Sequence, residues 1–112
     1  MPGGDVCLIY STHPSPEQAR STAAVLLERQ LAACCNILPG MESHYRWEGK
    51  LKHAQEAVML TKTVTSNADQ VIAAIRELHP YDCPAILVIP VQGGDADFLS
   101  WIASACNAVF ER

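Results

Sequence analysis

Four histidines and five cysteines are the residues of this chain best suited to chemistry. Neutral imidazole and thiolate are ligands for soft and borderline metal ions such as copper. The chain has no phosphate-binding glycine loop and no Gly-x-Ser-x-Gly nucleophile motif, and no acid–base pair has a diagnostic spacing. The sequence therefore predicts a binding protein rather than an enzyme, and metal binding is the first chemistry to consider.

One histidine pair lies on a predicted β-hairpin. If Glu48 and Gly49 form a two-residue turn, His44 lies directly opposite His53, with Glu42 on the same face two residues away. Opposed residues have Cβ atoms about 5 Å apart, so two imidazoles and a carboxylate could share one ion. The alternative is a solvated polar face, and a turn longer or shorter by one residue would separate the pair.

A second candidate site lies where the second predicted helix ends. His79 and Cys83 are four residues apart across a proline-containing bend, and His13 ends the first predicted strand. If the chain crossover brings these ends together, His79, His13 and Cys83 could bind one metal ion. The alternative is a helix-terminal histidine that interacts with the last carbonyls of its helix.

Three further side chains are candidates for contacts with a ligand or a subunit. Tyr45 and Trp47 share the other face of the hairpin, and an aromatic pair on a protruding arm is typical of a subunit contact. Lys62 is an isolated charge late in an apolar strand. It could contact an anionic ligand, or it could extend from the end of the sheet to solvent.

Composition and charge argue against several classes of partner. The formal net charge is −4, with 8 basic and 12 acidic residues and no basic run, so neither nucleic acid nor an anionic membrane is an expected partner. The longest proline-free apolar run, residues 85–89, is far shorter than the roughly 20 residues of a membrane span. The five cysteines do not have the regular spacing of a disulfide framework, which is typical of a protein whose thiols stay reduced. We expect one soluble domain over residues 1–112, located in the cytoplasm.

Hydrophobic periodicity predicts the first elements that position these residues. A strand over residues 6–11 ends near Thr12, and a helix begins at Pro16 after Ser15 and runs to about Gln30. Residues 32–36 form a short, apolar and strand-like segment, and residues 43–47 resume the strand pattern after a bend or bulge at Pro39-Gly40. Together they pair with residues 51–63 in a long hairpin.

The remaining elements complete the predicted order of strands and helices. Residues 66–69 begin a second helix that Pro80 ends, and a buried strand is predicted over residues 86–89. A last helix begins after Gly93-Gly94-Asp95 and places Phe98, Trp101, Ile102, Ala105 and Val109 on one face. The βαββαβ order predicts an α+β, ferredoxin-like sandwich with a C-terminal helix. Its second sheet face needs a cover, which neighbouring copies of the chain are expected to supply in part.

Four stretches of the sequence resemble the CutA family of divalent-cation-tolerance proteins. They are Leu-Ala-Ala-Cys-Cys-Asn-Ile-Leu-Pro-Gly at 31–40, Tyr-x-Trp-Glu-Gly-Lys within 43–50, Leu-Thr-Lys-Thr at 60–63 and His-Pro-Tyr-Asp-Cys-Pro at 79–84. The segment from Gly94 to Trp101 is also similar to that family. The resemblance implies a homotrimer of ferredoxin-like subunits, similar to PII signalling proteins, that contributes to tolerance of copper and other divalent ions.

The resemblance also implies a ligand set. Family members that bind copper use a cysteine at the end of the first strand and histidines before the Pro-Tyr motif, and the matching residues here are Ser11, Leu78 and His79. Only His79 is retained, so His13 is the candidate substitute, with Cys83 as a further ligand for Cu²⁺. The alternative is a PII-like signalling or scaffolding trimer that binds a small ligand between subunits, with Lys62 in contact and no physiological metal.

Overall fold

A computed structural model describes residues 5–106, so the predicted position of Val109 on the last helix lies outside the described residues. The elements are β1 (Val6–His13), α1 (Pro16–Glu28), β2 (Cys34–Trp47), β3 (Lys50–Val64), α2 (Ala68–Leu78), β4 (Ile86–Pro90) and α3 (Ala96–Ala105), with a 3₁₀ turn at Thr65–Asn67 before α2. The predicted βαββαβ order with an additional C-terminal helix is confirmed. None of the described helices is long and apolar enough to cross a membrane.

The four strands form one antiparallel sheet in the order β2-β3-β1-β4. Each crossover from a strand through a helix to the next hairpin or strand skips one position in the sheet, which is the ferredoxin-like arrangement predicted from the sequence. β1 pairs with β3 along its whole length and with β4 from Cys7 to Ser11, so β1 is a central strand and Ser11 has a neighbouring strand on each side. Thr12 and His13 follow at the end of β1 and are also buried, although all three side chains are polar.

Both α1 and α2 pack on the same face of the sheet. Ile9 and Met59 contribute to a core that also includes Leu26 from α1 and Val71 and Ile75 from α2, and none of these five exposes a measurable side-chain surface. The apolar positions of each helix recur with the helical period, so each helix presents one stripe to the sheet.

The helices α1 and α3 begin with a side-chain cap, and α2 does not. Ser15 accepts a hydrogen bond from the Gln18 N–H at the start of α1, and Asp95 accepts one from the Phe98 N–H at the start of α3. Asn67 occupies the cap position of α2 but makes no capping bond with its side chain. Its amide instead donates to the Leu31 carbonyl, so it ties the helix start to the loop before β2.

The long hairpin has the predicted turn and the predicted interruption. Trp47 pairs with Lys50, and Glu48 and Gly49 have φ values of 52° and 78°, as a two-residue turn with left-handed central residues requires. Between Leu38 and Met41 the register shifts because β2 carries one more residue than β3 there. This irregularity is a β-bulge at Pro39-Gly40, and Gly40 takes a φ of 77°.

The prediction that residues 86–89 form a buried strand is wrong for the single chain. Leu87, Val88 and Ile89 are 60%, 42% and 41% exposed, because β4 is an edge strand that pairs only with β1. The second sheet face is also incompletely covered, since Leu38 remains half exposed there. On α3, Phe98 and Trp101 are 43% and 47% exposed. The described chain therefore leaves much apolar surface in water.

Candidate metal-binding sites

The structure brings His13 and His79 together. His13 ends β1 and His79 follows α2, yet their ring centroids are only 5.1 Å apart. Both side chains are buried, at 0% and 8% exposure. The crossover through α2 returns the chain to the end of β1, which is the condition on which the sequence prediction depended.

Both ring nitrogens of His13 are already engaged. Nδ1 donates to Oε1 of Gln18, and Nε2 accepts from the Ser11 hydroxyl at 2.8 Å. The orientation of the Gln18 amide is fixed by its Nε2, which donates to the Leu78 carbonyl and to Thr22. Burial lowers the pKa of His13, and the hydrogen bond that its ring donates to Gln18 offsets part of this shift. His13 is therefore held as a neutral imidazole.

His79 is fixed in the same way by backbone groups. Its Nε2 donates to the Thr12 carbonyl at 2.7 Å, and its Nδ1 accepts from the Tyr81 N–H at 3.2 Å. The backbone N–H of His79 donates to the Arg76 carbonyl, so the residue also terminates α2. The terminal-histidine alternative is thus part of its role, although the carbonyl that the ring contacts belongs to β1 and not to its own helix.

Three residues of this cluster were missed by sequence reasoning as site residues. The side chain of Gln18 joins His13 to the end of α2. The ring of Tyr81 lies 4.8 Å from that of His79, and its hydroxyl donates to Glu56, which also accepts from Ser43 at 2.6 Å. The feature of the sequence that could have identified Gln18 and Glu56 is their polar character beside otherwise apolar runs.

Cys83 does not join this cluster. It is exposed, and no hydrogen bond or ring contact found within residues 5–106 connects it to His13 or His79. Ser11 and His79, two of the residues that the resemblance suggests as ligand positions, lie in the cluster, and Leu78 contributes its backbone carbonyl. No group of three or more His, Cys, Asp or Glu side chains within the described range is already arranged to hold a metal ion.

The hairpin histidines have the predicted register. His44 pairs with His53, and their rings are stacked with centroids 5.7 Å apart and planes inclined by 29°. Oε1 of Glu42 lies 3.3 Å from Nε2 of His44. These three residues line a shallow pocket of about 290 Å³ together with Ala54 and Gln55.

The two histidine pairs lie on the same sheet face but cannot share an ion. His13 lies opposite Ala57, and His53 is four residues further along β3. At a rise of about 3.3 Å per residue, this separation is about 13 Å along the strand. The pairs are therefore separate candidates.

Tyr45, Trp47 and Lys62 lie on the other face of the sheet. Tyr45 and Trp47 are 43% and 49% exposed, and Trp47 lies at the tip of the arm. Nζ of Lys62 lies 5.4 Å from the Phe98 ring centroid, which is a cation–π contact with α3. Lys62 is therefore tied to the last helix rather than extended into solvent.

Comparison with known proteins identifies the family. The family profile described as "CutA1 divalent ion tolerance protein" matches residues 7–105. The chain belongs to the CutA1 family. A curated relative, the "Divalent-cation tolerance protein CutA" of Pectobacterium atrosepticum, is 45% identical over 98 residues, which are 88% of this chain and 89% of the relative.

Solved structures of CutA1 relatives have the same fold. CutA from Xylella fastidiosa is 38% identical with a TM-score of 0.89, and the match covers 92% of this chain and 99% of that one. A protein from Archaeoglobus fulgidus, described as a periplasmic divalent cation tolerance protein CutA, is 40% identical with a TM-score of 0.87 over 90% of this chain and 98% of its own. The ferredoxin-like fold and membership of a divalent-cation tolerance family are thereby confirmed.

Proposed function

We propose that this chain contributes to divalent-metal tolerance by binding copper(II) at the buried cluster around His13 and His79. The observation that carries the proposal is the 5.1 Å separation of these two rings, which come from distant parts of the chain. Imidazole is a favoured ligand of Cu²⁺, and Cu²⁺ has the highest affinity in the divalent series. The names of the CutA1 relatives support the coarser function, tolerance of divalent cations.

The hydrogen bonds of the cluster determine which contacts a bound metal ion must displace. A metal ion on His13 Nε2 replaces the Ser11 hydroxyl, and one on His79 Nδ1 replaces the Tyr81 N–H. Ser11 offers a hydroxyl, which is a weaker copper ligand than a thiolate. We therefore expect weaker binding than a thiolate-containing site would give.

The proposed assembly is a homotrimer in the cytoplasm. The uncovered apolar residues of β4 and α3 support self-association, because a soluble monomer rarely exposes a large contiguous apolar patch. The five cysteines lack the regular spacing of a disulfide framework, which supports a reducing compartment. Besides the other copies of this chain, the proposed partner is a divalent metal ion.

Copper titration of the purified, metal-free protein tests the proposal. We expect His79→Gln and His13→Gln each to weaken Cu²⁺ binding at this site by at least about tenfold, since loss of even an outer-shell partner costs that much. Cys83→Ser is the matched control and should bind Cu²⁺ as the parent protein does, because Cys83 lies outside the cluster.

Unchanged binding in both histidine variants would overturn the copper assignment. The PII-like alternative would then be tested by a thermal-shift screen with small anions and Lys62→Ala. A ligand at a hundredfold its Kd adds about 2.7 kcal/mol of stability.

A further inference from the structure

The outer half of the β2–β3 hairpin carries a second cluster of metal-ligand side chains. His44 and His53 face each other across the strands, and Glu42 and Gln55 form the next pair on the same face. The paired strands fix this juxtaposition. The turn at Glu48-Gly49 sets the register of the arm.

The two imidazoles are close enough to bind the same ion. Directly opposed residues have Cβ atoms about 5 Å apart, and the ring centroids here are 5.7 Å apart. Metal–nitrogen bonds of about 2.0–2.1 Å require the two ligand nitrogens to lie no more than about 4 Å apart. As they are placed, these side chains do not form a group arranged to hold a metal ion. The site therefore requires rotation about the side-chain bonds of His44 and His53, which are both exposed, while the paired strands stay in place.

The Glu42 carboxylate supplies the negative charge that two neutral imidazoles lack. Oε1 of Glu42 already lies 3.3 Å from Nε2 of His44. An ion held by the two imidazoles would have this carboxylate within reach, and water would complete its coordination. The charged group on the other side is Arg46, which lies on the same face toward the hairpin tip, so Glu42 is the neighbour that favours a cation.

We propose that His44, His53 and Glu42 form a surface site for a borderline divalent cation, Cu²⁺ with higher affinity than Zn²⁺. Two imidazoles and one carboxylate suit both ions, and the order of affinity follows the divalent series. The exposed position makes the site accessible without breaking the hydrogen bonds of a buried network. This site is independent of the proposed function at His13 and His79, from which it is about 13 Å distant along β3.

The test is equilibrium titration of the metal-free protein with CuCl₂ and with ZnCl₂, combined with the electron paramagnetic resonance spectrum of bound Cu²⁺. We expect His44→Ala and His53→Ala each to weaken one binding event per chain by at least about tenfold and to reduce nitrogen coupling in the spectrum. Glu42→Gln should weaken the same event less. The matched control is Lys52→Ala, on the opposite face of the same arm, which should leave all binding unchanged.

Two outcomes separate this proposal from the previous one. If His79→Gln abolishes one event and the hairpin variants abolish another, both sites exist. If the hairpin variants bind both ions with unchanged affinity and stoichiometry, the hairpin site is excluded, whatever the result at His79. Far-ultraviolet circular dichroism checks that the variants remain folded, which is expected because the ring of His44 is 70% exposed.

Discussion

At the scale of single residues, the buried polar side chains decide what each histidine can do. His13 and His79 each use both ring nitrogens in hydrogen bonds. Within residues 5–106, the exposed rings of His44 and His53 stack on each other, and the polar contact found for the pair is that of His44 with Glu42. A buried ligand that is already hydrogen-bonded must exchange one favourable contact for another on binding. Exposed ligands exchange water instead, so the two pairs should differ in the cost of binding more than in the chemistry of their donors.

The lowered pKa of His13 predicts a stability change with pH. The folded state favours the neutral ring, so its contribution to stability is fully present above the unfolded value of about 6.5 and is lost as pH falls through the lower folded value. Metal-free parent protein should therefore lose more stability between pH 8 and pH 5 than His13→Gln does. Urea denaturation at both pH values measures the difference, and equal losses would show that His13 does not carry this linkage.

The cysteines should differ in reactivity. Burial raises the pKa of Cys7, Cys35 and Cys106, so less of each is thiolate at neutral pH. Cys83 is exposed and should react first with iodoacetamide, as followed by mass spectrometry without reductant. Cys83→Ser should remove the fastest phase. A stoichiometric disulfide in the isolated protein would contradict the expectation of five reduced thiols and of a cytoplasmic location.

At the scale of elements, the turn between β2 and β3 controls the geometry of the arm. Gly49 has a φ of 78°, where a Cβ atom costs about 1–2 kcal/mol. Gly49→Ala should lower the free energy of unfolding by that order, as measured by denaturant titration. Gly93→Ala is the control, because neither position has an atom within 4 Å of the added methyl group and Gly93 lacks a positive φ. Equal effects of the two changes would show that the turn is not strained by a side chain.

The sequence was sufficient to predict most of the elements because their signals are local. The Glu48-Gly49 turn, the Ser15 cap and the Pro39-Gly40 interruption each depend on residues that are neighbours in the chain. The burial of β4 was predicted wrongly because an apolar run shows that a strand needs cover and does not show that its own chain supplies it. The contacts of Gln18 with Leu78 and of Tyr81 with Glu56 were missed because each joins residues distant in sequence.

At the scale of the whole molecule, the described chain is elongated, with extents of 46 × 25 × 22 Å. The hairpin extends beyond the region that the helices cover, which accounts for the long axis. A protruding two-stranded arm is at best marginally stable in water by itself. Its length therefore favours a partner surface along which the arm can pack.

The predicted homotrimer has a direct test. Sedimentation at micromolar concentration should give one species of about three times the 12.2 kDa chain mass. Trp47→Ala at the tip of the arm and Leu87→Arg on β4 should each shift the distribution toward smaller species, because both side chains expose apolar surface in the single chain. Lys52→Ala provides a control on the same arm. A stable monomer that Trp47→Ala leaves unchanged would exclude this assembly.

The β-bulge at Pro39-Gly40 divides the hairpin into two parts whose alignments are set independently. The inner part is aligned by packing against the core, and the outer part is aligned by the turn. The extra residue in β2 is accommodated at the bulge, so the pairs on both sides of it stay in register. Its removal would leave His44 opposite His53 and would take away only the local bend and added twist that a bulge gives a strand. A residue inserted or deleted between His44 and the turn would instead shift the pairing by one position and move His44 away from His53. The number of residues between His44 and Glu48-Gly49 is therefore the dimension of the arm on which the histidine pair depends.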